Sequence, residues 1–196
     1  MHYKANITVG ALLVGESRKI AGLMLRGVDS GEWKKAVEEQ NILQKLSAAS
    51  SKRIASLIRA RLALMTPGLW KLIRDGDSIT AKHACLAAAI KHCRLLGDYL
   101  DIVVREQFKK MEDRLIPRLW EDFIVGCRQR DPGMDELAPS TAMKMRGNIH
   151  KILSEAGYLK DSRKWILQRV DISREILDYL EENKEEYVLK CIKATK

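Results

Sequence analysis

The chain has 196 residues, 46% hydrophobic and 31% charged, enough to bury a full core as one domain or two small ones. Lys and Arg number 35 against 26 Asp and Glu, a net charge of +9 that favours polyanionic partners without requiring one. The apolar run over 7–15 is too short for a membrane span, which takes about 20 residues. Glu16-Ser17-Arg18-Lys19 follows it in place of a leader's small-residue cleavage site, so a buried helix or strand is expected there.

Taken in chain order, the pattern is mostly helical. Residues 16–26 place Ile20, Leu23 and Met24 on one face and stop at Gly27. Residues 31–46 carry Trp33, Val37, Ile42, Leu43 and Leu46, and 51–65 carry Ile54, Leu57, Ile58, Leu62 and Met65 before Pro67-Gly68. A short turn is expected over 69–74, closed by Asp75-Gly76-Asp77, then an Ala-rich helix over 80–96 and another over 98–114. Pro117 opens a helix through Trp120, Phe123 and Ile124 that ends near Gly126, and the loop 130–136 is the candidate boundary. A capped amphipathic helix over 141–156 follows, then a Gly157-Tyr158-Leu159 stop and a basic hairpin with Asp161-Ser162 at its tip. Trp165, Ile166 and Leu167 should anchor the returning strand, and an acidic helix covers 173–183. The expected fold is mainly α: a helical bundle over 1–130, then a small winged-helix-like unit with a short β-hairpin and C-terminal helix over 131–196.

The helix–hairpin unit carries the sharpest functional pattern. Projected at about 100° per residue, Ala142, Met145, Ile149, Ile152, Leu153 and Ala156 share a core face. Lys144, Asn148 and Lys151 fall on a second face, where ammonium groups reach phosphate or guanine and an amide can pair with adenine. A solvated basic face would look the same. Lys160, Arg163 and Lys164 cluster at the hairpin tip, where self-repulsion is better explained by a phosphate partner than by packing. A complete helix-turn-helix needs a short preceding helix, and 134–137 offers barely one turn.

A second basic stretch, 52–74, contains no acid; Lys52, Arg53 and Arg59 are candidate phosphate contacts. Arg61 falls in the apolar stripe of its helix and is expected buried, paired with Asp98 or Asp101. No metal is expected from His83, Cys85, His92 and Cys93. On a helix His83 and Cys85 point about 200° apart, and Cys85 and His92 are separated by about 10 Å of rise, whereas zinc needs its ligands within about 2.0–2.3 Å. The four cysteines read as reduced core thiols of a cytoplasmic protein. No Gly-rich phosphate loop, nucleophile elbow or H-E-x-x-H occurs, so neither an enzyme nor a cofactor is expected.

The order of short motifs points further. Tyr3 with Ala5, Gly10-Ala11-Leu12-Leu13, Ile20-Ala21, Trp33, Asn41-Ile42-Leu43 and Lys52-Arg53-Ile54 come first. Arg61-Leu62, Leu72-Ile73, Gly76-Asp77, Val103-Val104-Arg105-Glu106, Trp120-Glu121-Asp122-Phe123 and residues 152–159 (I-L-S-E-A-G-Y-L) follow. Over nearly its whole length the chain resembles the BrxA family of BREX (bacteriophage exclusion) gene clusters. The resemblance implies a mainly helical, non-enzymatic, cytoplasmic bacterial protein that binds double-stranded DNA in an anti-phage system. It also implies a likeness in fold to helical RNA-binding antitermination factors. An adenine methyltransferase, an ATPase and a phosphatase-like protein of the same clusters become plausible partners. It assigns no DNA contact residue by residue. Two other readings stay open: RNA binding, and an adaptor that docks another component through Glu175, Asp178, Glu181, Glu182, Glu185 and Glu186.

Overall fold

Gly27 is the first firm stop in the chain. Its left-handed backbone (φ 65°) closes α1 (Val14–Arg26), returning its N–H to the carbonyls of Leu23 and Met24. The computed structural model describes Tyr3, residues 11–161 and residues 163–195. Residues 7–10 of the apolar run over 7–15 therefore lie outside the described residues; its end supplies buried Ala11 and Leu12 and the first residues of α1.

The helix expected over 31–46 is shorter than its pattern. α2 (Ser30–Lys34) passes into a π-helical turn over Lys35–Glu39 and stops at Gln40. Asn41 then turns left-handed (φ 46°). Its side-chain amide donates to the Lys45 carbonyl at 2.7 Å while its oxygen accepts the Lys45 N–H at 3.0 Å. That clasp closes a loop, burying Leu43 and leaving Leu46 in water. α3 (Ala48–Leu62) starts earlier than its periodicity, because the Ser47 hydroxyl accepts the Ser50 N–H at 3.2 Å.

Where a short turn was expected over 69–74 there is a helix, α4 (Pro67–Asp75). Pro67 presets its first turn, and Leu69 and Ile73 form a buried i,i+4 pair facing α1. α5 (Ser78–His92), capped by Asp77, is the central rod. Its Ala84, Ala87, Ala88 and Ala89 are all buried, and such small side chains let α1, α3, α4 and α11 approach its backbone. Cys93 is extended (φ −124°, ψ 97°), so the two helices expected over 80–96 and 98–114 become a differently broken rod. The rod continues as α6 (Arg94–Asp98), a π-helical turn over Tyr99–Val104, and α7 (Arg105–Lys109).

α8 (Pro117–Arg130) runs through Gly126 instead of ending there. Residues 131–138 contain no helix, and α9 (Pro139–Glu155) leads through Gly157 (φ 90°) into β1 (Leu159–Asp161) and β2 (Ile166–Leu167). The strands are antiparallel, Leu159 opposite Leu167 and Asp161 opposite Ile166, with an irregularity between. A third segment joins them: Leu167 N–H donates to the Asp113 carbonyl at 2.7 Å, and Leu115 N–H to Trp165 at 3.0 Å. α10 (Arg174–Glu182) matches the expected acidic helix, whereas α11 (Glu186–Ile192) was not foreseen. α11 buries Val188, Cys191 and Ile192 toward α5 and the π-helical turn. The protein is mainly α with a short hairpin, and one buried apolar cluster runs from α1 to α11.

Packing is tightest at Gly97 on α6. A methyl group there would sit 2.8 Å from Tyr187 Cζ and 3.1 Å from Ile90 Cγ2. Gly97→Ala should destabilise the protein by about 1–3 kcal/mol, the usual range for overpacking. The denaturation midpoint reads this out, and a cycle with Tyr187→Ala should recover much of the added cost.

Candidate nucleic-acid interface

α9 buries Met145, Ile149, Ile152 and Leu153, with Ala142 half-buried at the edge. Of the projected second face, Lys144 and Lys151 are exposed. Asn148 between them is half-buried and engaged within the protein. The hairpin tip presents Lys160, Arg163 and Lys164 to solvent. Ser162 lies outside the described residues. Asp161 does not neutralise this tip so much as build it. Its Oδ1 accepts the N–H groups of Arg163 (2.8 Å) and Lys164 (2.9 Å). The Lys164 and Arg163 amides hold its carboxyl below the usual range.

Sequence reasoning missed the residue that seats the hairpin. His150 is 6% exposed. Its Nε2 lies 3.1 Å from Tyr99 Oη, and its ring meets Trp165 edge-to-face at 4.5 Å between centroids. Trp165, left-handed at φ 53°, also lies under the Arg146 guanidinium, 5.2 Å away. His150 sits one position from the core residue Ile149, and only contact with Trp165 could have revealed it. Burial first, and the Arg146 charge second, push its pKa down to about 4, so it is neutral near pH 7. His150 Nδ1 is buried without a hydrogen-bond partner among the described residues.

Lys151, Ser154 and Glu155 form a ridge with a depression on each side. One, of about 380 Å³, lies toward Gly147, His150 and Trp165. The other, about 500 Å³, lies toward Lys82 and the start of α1. Glu155 faces α1, accepting the Leu12 N–H at 2.8 Å. Glu16, lining the same depression, holds Lys45 at 2.5 Å, so the α9 stripe adjoins the loop that precedes α3. The second basic segment, 52–74, follows that loop in the chain. Within that segment Arg53 is exposed, Lys52 is exposed with its Nζ 3.5 Å from Glu38, and Arg59 stacks on Trp33 at 4.6 Å.

Arg61 is buried as expected, at 5% exposure, but its expected partner is wrong. Nη1 donates to the Ala11 carbonyl at 2.7 Å. Asp98 is taken by Tyr3, Tyr187 and Arg94, and Asp101 by Arg105 and Lys190. Burial lowers the Arg61 pKa, and its role is to tie α3 to the entry of α1. The four cysteines are free and buried. His83 Nδ1 accepts the Ser173 N–H at 3.1 Å, and among the described residues no three His, Cys, Asp or Glu cluster to hold a metal. In the acidic segment Asp178 pairs with Arg174, Glu181 with Lys193 and Glu185 with Lys91. No helix among the described residues is long and apolar enough to cross a membrane. Chemically, exposed ammonium and guanidinium groups on a helix and hairpin can hold phosphates.

Comparison with known proteins gives a consistent family. The family model described as BrxA matches residues 1–184. The BREX protein BrxA of Paramagnetospirillum magneticum (strain ATCC 700264 / AMB-1) is 46% identical over 193 residues, covering 98% of this chain and 97% of its own. That of Escherichia coli O9:H4 (strain HS) is 32% identical over 161 residues, covering 82% and 76%. A crystal structure of a Magnetospirillum magneticum protein superposes with a TM-score of 0.91 at 46% identity, covering 98% of both chains.

The His150 environment predicts an acid weakness with a defined window. A histidine with a lowered folded pKa gains nothing above its unfolded value near 6.5, because both states are then neutral. Below that value the unfolded chain takes the proton first, so stability falls as pH drops, until the folded pKa of about 4 is reached. The loss should total about 3 kcal/mol between pH 7 and pH 4. Urea titrations across that range should show His150→Phe with a visibly flatter profile than the natural protein.

Proposed function

This chain belongs to the BrxA family and is a BREX component, and we propose that it is a non-enzymatic, double-stranded-DNA-binding accessory protein of that anti-phage system. The observation that carries the reading is one of exposure without compensation. Lys144, Lys151, Lys160, Arg163 and Lys164 stand in solvent along one helix–hairpin unit and form no ion pair among the described residues. Other exposed cations, such as Lys34, Lys71 and Lys109, also form no ion pair among the described residues, but these five lie together on one helix–hairpin unit. Lys52, Arg53 and Arg59 supply a second grip, with Lys52 only loosely held by Glu38. Phosphate contacts dominate such a surface, so sequence preference is weak. The protein works in the cytoplasm, alongside the methyltransferase, ATPase and phosphatase-like proteins of its cluster.

An adaptor role has one observation in its favour. Ile102 is exposed at a groove between α8 and the rod, lined there by the π-helical turn and α7, and Leu119 and Phe123 of α8 face it. Such a surface suits a protein partner and is compatible with DNA held on the opposite chemistry of α9.

Binding to duplex DNA should fall steeply with salt. About five neutralised phosphates give a slope near −4.5 in log affinity against log salt. Reversing charge at Lys144, Lys151, Arg163 and Lys164 should lower affinity by more than about 100-fold and flatten that slope by roughly 3–4, with the circular dichroism spectrum unchanged. Gel-shift titrations with duplex DNA and duplex RNA competitors measure both. A slope near zero, or binding that survives the quadruple change, would sink this surface.

A further inference from the structure

The loop between α2 and α3 carries a side chain that the fold does not use. Leu46 is fully exposed, although Leu43 three residues earlier is buried. Burying a leucine side chain is favourable, and this position forgoes that gain. On a slack loop a lone exposed leucine needs no explanation. This loop is not slack. Asn41 and Gln44 are both held left-handed, at φ 46° and 53°, a conformation that is unfavourable for a non-glycine residue.

Several contacts hold that strain in place. The Asn41 amide clasps Lys45 from both sides, and the Gln44 N–H returns to the Asn41 carbonyl at 2.7 Å. Lys45 Nζ bonds Glu16 at 2.5 Å, and Lys19 Nζ bonds the Ile42 carbonyl at 2.6 Å, so α1 braces the loop at two points. Strain over-determined by surrounding contacts is found where a side chain is being aimed. Here it is aimed outward, at water.

The neighbourhood identifies what it is aimed at. No Asp or Glu occurs between Gln40 and Asp75, and Glu16 and Glu38, which reach this stretch from outside it, are held by Lys45 and Lys52. Directly after Leu46 come the small residues Ser47, Ala48, Ala49 and Ser50, then exposed Lys52 and Arg53. An apolar tip with small residues behind it and cations beside it matches a polyanion with an apolar interior. Duplex DNA is that object: phosphates outside, stacked bases within. We infer that Leu46 is a wedge that enters the base stack of duplex DNA from the minor groove, Lys52 and Arg53 gripping the flanking phosphates, so that binding kinks the duplex. Lys52 is available for this, since an exposed ion pair at 3.5 Å is weak and is readily exchanged for phosphate. The inference rests on the duplex-binding reading of the previous subsection, but on a different surface from its α9–hairpin test.

The test uses the full chain and a short duplex carrying a donor and an acceptor dye at its ends. Energy transfer reports the bend, and affinity is titrated against salt in parallel. The natural protein should bring the ends together. Leu46→Ala should abolish the bend and lower affinity by about 10-fold while leaving the salt slope unchanged, because no charge is removed. Leu46→Met should keep the bend, methionine being an equally suitable wedge. A bend that persists in Leu46→Ala overturns the wedge, as does tight binding by the natural protein with no bend; in both cases duplex binding itself stands. No binding to the duplex at all overturns both readings together. Sedimentation of the same variants covers the remaining case. If Leu46→Ala dissociates a self-associated form and leaves the bend intact, the leucine joins copies of this chain and the wedge is wrong.

Discussion

One buried carboxylate sets the frame of this protein. Asp98 is 4% exposed, and a carboxylate at that depth would be strongly destabilising if left unpaired. Three donors prevent this: Tyr3 Oη at 2.6 Å, Tyr187 Oη at 2.8 Å and Arg94 Nε at 3.0 Å. They come from the N-terminal residues, from α11 and from α6 itself. The backbone N–H of Tyr3 donates in turn to Asp131 at 2.7 Å, so the chain after α8 is drawn to the same point. Burial and the neighbouring Asp98 push the Tyr3 phenol up to about 12, which keeps it a neutral donor across the physiological range. Gly97 is glycine because Tyr187 must cross its Cα to reach the carboxylate.

The residue after Asp98 extends that frame to the candidate interface. Tyr99 opens the π-helical turn, packs against Trp120 and Phe123 of α8, and lies within hydrogen-bonding distance of His150. His150 then meets Trp165 at the base of the hairpin. A run of rings therefore passes from α8 through the rod to α9 and the hairpin. The backbone bonds from 113–115 to the hairpin hold it from the other side. A basic tip on such a support loses little conformational freedom on meeting a ligand, which is where preorganisation contributes affinity.

How much of this could be read from the chain depends on range. α1, α3, α8, α9 and α10 follow from periodicity and from Gly or Pro punctuation, as does the hairpin. The exposed cations of α9 emerged because helix projection needs only local geometry. Errors arose where tertiary contacts override local pattern. Asn41 clasping Lys45 ended a helix whose apolar spacing continued to Leu46. Pro67 with a buried Leu69–Ile73 pair made α4 from a stretch too short to show a period. Arg61 was placed in the core by its stripe, yet its partner is the Ala11 carbonyl, fifty residues away in sequence and carrying no side-chain signal. His150 and Trp165 met for the same non-local reason.

The same geometry bears on what kind of recognition is possible. Base readout needs side chains with spare donors and acceptors in a groove, and α9 offers little: Asn148 is engaged within the protein, leaving Lys144 and Lys151 as point charges. No helix precedes α9 to set it across the backbone, since residues 131–138 are non-helical. The hairpin tip adds more charge and no planar amide. On the proposed reading, then, affinity would come from phosphates, and any discrimination from how easily the duplex deforms. On that reading the proposed leucine wedge, beside an acid-free helix, couples binding to deformation. Pyrimidine–purine steps, the easiest to unstack, would then be favoured at the kink without any hydrogen bond to a base.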